Sequence, residues 1–151
     1  MSAAIRTATP EHRARIGEIA RCAFAKYVSR IGREPAPMLA DFAAEIGAGR
    51  VVAIAAGGAV AGYMIAWPEA DAYYIDAIAV DPALQGNRLG RQLIDHAATE
   101  ARRLNLSALR LCTNQAMTEN LAIYAHIGFV ETHRAVEEGY RRVFLRWDLN
   151  G

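Results

Sequence analysis

A short strand is expected near Ala3–Thr7, after which apolar residues recur at helical spacing at Ile16, Ile19, Ala20, Ala23, Phe24 and Tyr27. Thr9 before Pro10 has the form of an N-cap and first helical residue. Gly32, Pro35 and Pro37 interrupt this helix, and Met38 to Ile46 reads as a second helix ended at Gly47. Two β-rich runs, "RVVAIAAGGAVAGYMIAW", follow, and Gly57-Gly58 between them supplies the positive φ angles of a tight hairpin. A further strand, "AYYIDAIAV", runs into a glycine- and arginine-bearing loop, and Leu89, Leu93, Ala97, Ala101 and Leu104 then mark a long helix. "ALRLCT" reads as a strand, and Met117, Leu121 and Tyr124 outline a helix closed by Gly128. "FVETHRAV" and "YRRVFLRWDL" read as an antiparallel pair. The order is that of an α/β or α+β sheet layered with helices.

Length changes this picture little. The 151 residues suit one domain, 1–151, and 53% hydrophobic against 22% charged residues is an ordinary globular balance. Seventeen basic and sixteen acidic residues leave a formal charge of +1, so no global field draws the chain to nucleic acid or to an anionic membrane, and anion binding must be local. Cys22 and Cys112 have no paired partners or metal-ligand spacing, and His12, His96, His126 and His133 show none either, so no disulfide framework and no metal are expected. No apolar run approaches a membrane span and no signal-like core precedes the first helix, which makes cytoplasm the expected location.

The chemistry concentrates in "VDPALQGNRLGRQLI", Val80 to Ile94. A helix entered directly from a strand exposes unpaired N–H groups and the positive end of its dipole, which favour an anion. Gly86 and Gly90 keep side chains away from such an anion, while Asn87, Arg88 and Arg91 add donors and charge. Two glycines at a helix start also serve as a plain turn. A P-loop ending and the three glycines of a dinucleotide fingerprint are both absent.

"IAVDPALQGNRLGRQLI" resembles the acetyl-CoA loop of the GNAT superfamily of N-acetyltransferases, whose signature is Gln or Arg, two variable residues, Gly, one variable residue, then Gly or Ala. Gln85 and Gly90 match its ends, and Arg88 stands where the signature has its central glycine. Downstream, "TNQAMTENLAIYAHIGF" resembles the family's asparagine, tyrosine and Gly-Phe pattern at Asn120, Tyr124, Gly128 and Phe129. The resemblance is close over Tyr73 to Phe129 and extends to the whole chain in length and element order. It implies a mixed central sheet of about six to seven strands with a splayed middle pair, flanked by about four helices.

The resemblance further implies that the backbone of Ile78, Ala79 and Val80 holds the pantetheine arm of acetyl-CoA, that Gln85, Gly86, Asn87, Arg88, Leu89, Gly90 and Arg91 meet its diphosphate, and that Asn120 touches the arm near the thiol. An amine of pKa about 10 would attack the thioester directly, with Tyr124 as general acid for a departing thiolate whose thiol has a pKa of about 8.5. For the base, Asp76 shares a strand face with Ile78 and Val80; a carboxylate in so apolar a run is either used or satisfied by neighbouring amides. Glu69, Tyr74, Glu119 and His133 are reserves, and Cys112 reads as a packed strand thiol.

The acceptor side is expected along Tyr27 to Met38, where Arg30 and Arg33 fit an acceptor carboxylate and Glu34, with Glu137 and Glu138, fits a cationic one. The function implied is acetyl transfer to a primary amine of a small molecule or peptide. The alternatives are a non-catalytic acyl-CoA binding or sensing domain and an acetyltransferase of protein lysines or termini. Family members are often dimers through their C-terminal strands, which points to a homodimer contact at "YRRVFLRWDL".

Overall fold

The structure, a computed structural model, describes residues 3–85 and 87–149. In chain order the strands are β1 (Ala3–Thr7), β2 (Val51–Ala56), β3 (Ala59–Glu69), β4 (Ala72–Val80), β5 (Ala108–Asn114), β6 (Val130–Glu137) and β7 (Tyr140–Asp148). The helices are α1 (Arg13–Phe24), the single turn α2 (Val28–Ile31), α3 (Phe42–Gly47), α4 (Leu89–Arg103) and α5 (Thr118–Ile127). The strands form one mixed sheet in the order β1-β2-β3-β4-β5-β7-β6. Two compact units divide the chain, Met1–Ala66 with Ala77–His96 and Trp67–Asp76 with Ala97–Gly151.

In the first unit, β1 and β2 pair antiparallel from Ala3↔Ala56 to Thr7↔Val52, and β2 pairs antiparallel with β3. Gly57 and Gly58 turn that hairpin with φ of 61° and 84°, the left-handed pair that a two-residue turn requires. The ladder then slips: Ala55 opposes Val60 but Ile54 opposes Gly62, so Ala61 is an extra residue, a β-bulge. Gly62 beside it marks a close approach of two backbones. A Cβ at that position would stand 2.8 Å from the Ala79 carbonyl oxygen and 3.1 Å from a methyl of Ile54, so only glycine lets β3 lie against the end of β4.

The expected first helix is broken into pieces. A 3-10 turn at Pro10–His12 follows the extended Thr9, α1 takes over at Arg13, and a second 3-10 turn at Ala25–Tyr27 leads into α2. The expected helix from Met38 to Ile46 does not form as one element. A 3-10 turn covers Ala36–Leu39, Ala40 is extended, and Asp41 starts α3 afresh by accepting from the Ala44 amide at 3.0 Å. An N-cap residue is itself non-helical, so a capping aspartate inside the run splits it. The apolar faces of these helices are buried at Ile16, Ile19, Phe42 and Ile46, and the Phe42 ring meets Tyr63 of β3 edge-on at 5.7 Å.

In the second unit, β4 and β5 run parallel from Ala72↔Ala108 to Ile75↔Leu111, and β5 pairs antiparallel with β7 from Ala108↔Asp148 to Asn114↔Arg142. Alternation puts Leu109, Leu111, Val143 and Leu145 in the core and leaves Arg110 and Cys112 half-buried on the opposite face. The last strand, β7, lies between β5 and β6. The final strand therefore has both edges paired within the sheet, and the edge strand on this side is β6. A register shift between Glu131 and His133 bulges β6 at Thr132.

Replacing Gly62 with alanine should lower unfolding free energy by about 1–3 kcal/mol through overpacking against backbone. Gly47→Ala, where a methyl meets nothing within 4 Å, should be neutral or stabilising by up to about 1 kcal/mol. Urea unfolding of the two variants checks the contrast, and equal effects would count against the close approach.

Candidate active site

The chain leaves β4 at Val80 and reaches α4 through a loop built from local hydrogen bonds. Asp81 Oδ1 accepts from the Ala83 amide at 2.9 Å and caps a 3-10 turn, Pro82–Leu84, while Asn87 Nδ2 donates to the Leu84 carbonyl at 3.0 Å. Arg88 then takes φ of 60°, and its carbonyl accepts from the Gln92 amide at 3.1 Å, the first turn of the fifteen-residue α4. This left-handed conformation costs a non-glycine residue on the order of 1 kcal/mol. It is the conformation that a glycine at the same place, as in the signature matched by Gln85 and Gly90, adopts without cost.

Gln85, Asn87 and Arg88 are exposed, Leu89 is buried as the anchor of the helix start, and Arg91 pairs with Asp95 one turn on at 3.0 Å. Gly86 lies outside the described residues. A Cβ on Gly90 would meet no atom nearer than a Val80 methyl at 3.9 Å. Among the described residues nothing within van der Waals distance but that methyl would meet a side chain there, and alanine would be the better helix former. The small residue leaves room at the helix start.

The backbone of β4 has two sides. The Ala79 carbonyl faces Gly62, and the Asp81 amide donates to the Ala61 carbonyl at 2.8 Å, so the odd-numbered residues address β3. Alternation directs the N–H and C=O groups of Ile78 and Val80 away from β3. Both side chains are half-buried.

On α5, Tyr124 is buried and Asn120, one turn earlier, is half-buried with its Nδ2 3.6 Å from Met117 Sδ. The Tyr124 carbonyl closes the helix by accepting from both the Gly128 and the Phe129 amides. Gly128 has φ of 131°, and a Cβ there would stand 3.1 Å from the Trp147 indole nitrogen. The Phe129 ring lies edge-on to Tyr124 at 5.6 Å and tilted to Trp147 at 5.7 Å. Gly-Phe after the helix thus has a steric and a packing reason: the glycine admits the indole, and the phenylalanine braces the tyrosine.

A family model described as acetyltransferase (GNAT) family matches residues 14–129. The chain belongs to the GNAT acetyltransferase family. Among solved structures, a GCN5-related N-acetyltransferase from Rhodopseudomonas palustris superposes with a TM-score of 0.80 at 20% identity, covering 99% of this chain and 97% of that one. The PaiA N-acetyltransferase from Thermoplasma acidophilum, solved with coenzyme A, gives 0.79 at 15% identity, with coverage of 98% and 99%. The ribosomal-protein-S18-alanine N-acetyltransferase from Escherichia coli gives 0.73 at 19% identity, with coverage of 98% and 94%. At these identities the likeness is one of fold. A search among curated proteins finds no match.

Within this GNAT chain the candidate base sits at the surface of the strand. Asp76 is exposed on β4, and its charge acts on both Tyr74 and Cys112. Tyr74, on the same face, lies 3.4 Å from Cys112 Sγ, with Trp67 tilted against its ring at 5.4 Å. Burial, followed by the Cys112 contact, pushes the Tyr74 phenol far above its ordinary value, which keeps it protonated and unsuited to take a proton at neutral pH.

The other reserves have partners. Glu69 faces Arg110 at 3.4 Å and the Trp67 indole at 3.3 Å, Glu119 accepts from Thr118 Oγ1 at 3.0 Å, and His133 stacks on Phe144 at 4.3 Å. Tyr27 is buried, and the Lys26 and Arg30 cations lie over its ring at 5.0 and 5.2 Å, so Arg30 is held to its own helix. Arg33 and Glu34 are exposed side by side. Among the described residues no three His, Cys, Asp or Glu side chains converge as a metal site, and no helix is long and apolar enough to cross a membrane. Arg15 and Gly62, absent from the sequence-derived set, are the residues that fix the β4 end. An arginine on an amphipathic helix carries no local signal, whereas a glycine inside a strand pattern does.

Burial, as the leading cause, also raises the Cys112 thiol. A raised acid contributes stability that is complete below its unfolded pKa and is lost as pH rises through the folded one, so the thiol is neutral and inert at pH 7. In the folded protein at pH 8, iodoacetamide should therefore label the exposed Cys22 well before Cys112, with both labelled alike in urea. Peptide mass spectrometry reads the order, and equal labelling of the folded chain would remove the packed-thiol reading.

Proposed function

We propose that this chain is a single-domain, acetyl-CoA-dependent N-acetyltransferase acting on a primary amine of a small molecule or peptide, with Tyr124 as general acid. One observation carries the reading: a strand enters a helix through a loop with Gln85 and Gly90 at the signature positions, and Arg88, where the signature has a glycine, takes a left-handed conformation that glycine adopts without cost. In this reading the main-chain groups of Ile78 and Val80, flanking Ala79, hold the pantetheine arm. Gln85 to Arg91, Gly86 included, bind the diphosphate through amides at the α4 start, where the helix dipole and Arg88 and Arg91 add positive potential. The space left at Gly90 supports the fit of a bulky anion.

Acetyl-CoA supplies an activated thioester. The chain's own work is to orient it and to move two protons. Tyr124, braced by Phe129, donates to the departing sulfur; Asn120, one turn away on α5, orients the arm near that sulfur. The proton of the incoming ammonium leaves by water to Asp76, which is exposed to solvent. The fold likeness to an enzyme named for a ribosomal-protein alanine keeps peptide termini among the acceptors beside small amines.

Calorimetry with coenzyme A and thiol release from acetyl-CoA across an amine and peptide panel test the proposal. Tyr124→Phe should bind coenzyme A like the wild type and lose a factor of about 100 to 10,000 in kcat. Binding without thiol release from any acceptor would instead favour the acyl-CoA sensing function.

A further inference from the structure

We propose that Arg15 is a positioning residue for the diphosphate loop, holding that loop in its binding geometry from α1 through Asp81. The inference rests on the acetyl-CoA reading above, but its structural half can be tested without the ligand. Arg15 lies in the first turn of α1, and 66 residues separate it from Asp81. Its Nη2 donates to Asp81 Oδ2 at 2.6 Å, its Nε donates to the Val60 carbonyl at 3.1 Å, and its remaining amine faces Glu18 on its own helix.

Asp81 is the hinge between β4 and the loop, and its hydrogen-bonding groups have separate duties. The amide is bound to the Ala61 carbonyl at 2.8 Å, Oδ1 receives the Ala83 amide at 2.9 Å, the main-chain carbonyl receives Leu84 at 2.8 Å, and Oδ2 is left for Arg15. The Leu84 carbonyl in turn receives Asn87. One guanidinium thus sets the carboxylate on which the whole turn is hung, seven residues before Arg88 takes up its strained conformation. The β-bulge gives the reason for an arginine. The extra residue Ala61 disrupts the β2–β3 ladder beside Val60, and Nε and Nη2 of a rigid planar fork reach the Val60 carbonyl and the Asp81 carboxylate together, which a lysine ammonium on a flexible stem cannot do in one geometry. The Arg15 hydrogen bond is also the leading cause that holds the Asp81 carboxyl below its ordinary range.

Half-exposed ion pairs contribute little to global stability. Loss of Arg15 should therefore be felt in the loop rather than in the fold. In ligand-free protein, Arg15→Met should speed amide hydrogen exchange in the 82–88 segment while leaving other segments and the melting temperature close to wild type. Coenzyme A affinity by calorimetry should fall about tenfold, a misplacement effect, with KM for acetyl-CoA rising and kcat retained once an acceptor is known. Arg15→Lys should recover part of the affinity, Glu18→Gln should change nothing, and adding Asp81→Asn to Arg15→Met should cost no more than either change alone.

The outcomes separate the two claims. Wild-type protein that fails to bind coenzyme A removes the acetyl-CoA reading, whatever the exchange data say. Wild-type binding with Arg15→Met within twofold of it, or with exchange in 82–88 unchanged, overturns the role of Arg15. Global unfolding of Arg15→Met also overturns it, since Arg15 would then be a stability residue.

Discussion

Everything at the candidate site depends on how closely two backbones meet at Gly62. With no side chain between them, β3 lies against the Ala79 carbonyl, and this contact sets where β4 ends. The bulge at Ala61 is the other half of the same arrangement. It offers the Ala61 carbonyl to the Asp81 amide and leaves the Val60 carbonyl within reach of Arg15, so the first residue after the strand is gripped from both main chain and side chain. A loop built on such a hinge can hold Arg88 in a conformation that it would avoid in a free peptide, because the surrounding hydrogen bonds over-determine it.

The second unit follows a different logic. On α5 the functional candidate is wedged by rings: Trp147 against Gly128, Phe129 against Trp147, Tyr124 against Phe129. Ring contacts of this kind help to fix a phenol's position. On the opposite face of the sheet the same aromatic density has another effect. Tyr74 and Cys112 are packed against each other and both held neutral, which removes two otherwise plausible reactive groups from the chemistry.

Much of this was legible in the chain. The Gly57-Gly58 hairpin, the long helix from Leu89 and the final antiparallel pair each announce themselves by local pattern, and the loop between Val80 and Ile94 could be singled out because its residues are neighbours in sequence. What could not be read depended on distance or on competition. Arg15 and Asp81 meet only after folding. The split of the second helix needed the knowledge that Asp41 would cap rather than continue, a choice between a helix pattern and a side chain that competes for its amides. The exposure of Asp76 could not be read either, because an apolar run does not say which of its positions faces water. The interior place of β7 is a matter of topology, since the last strand returns between two earlier ones.

The bulge at Thr132 has a consequence for how the molecule keeps to itself. β6 is an edge strand of the sheet, with Val130 and Val136 about two-thirds exposed, and an unbroken edge is a template on which foreign chains can grow as fibrils. The kink interrupts the row of amides and carbonyls midway, and the Glu131–Arg134 ion pair straddles it with fixed charge. Neither half offers a flat run long enough to seed such growth, so the valines can remain in water without turning the rim into a nucleus for aggregation.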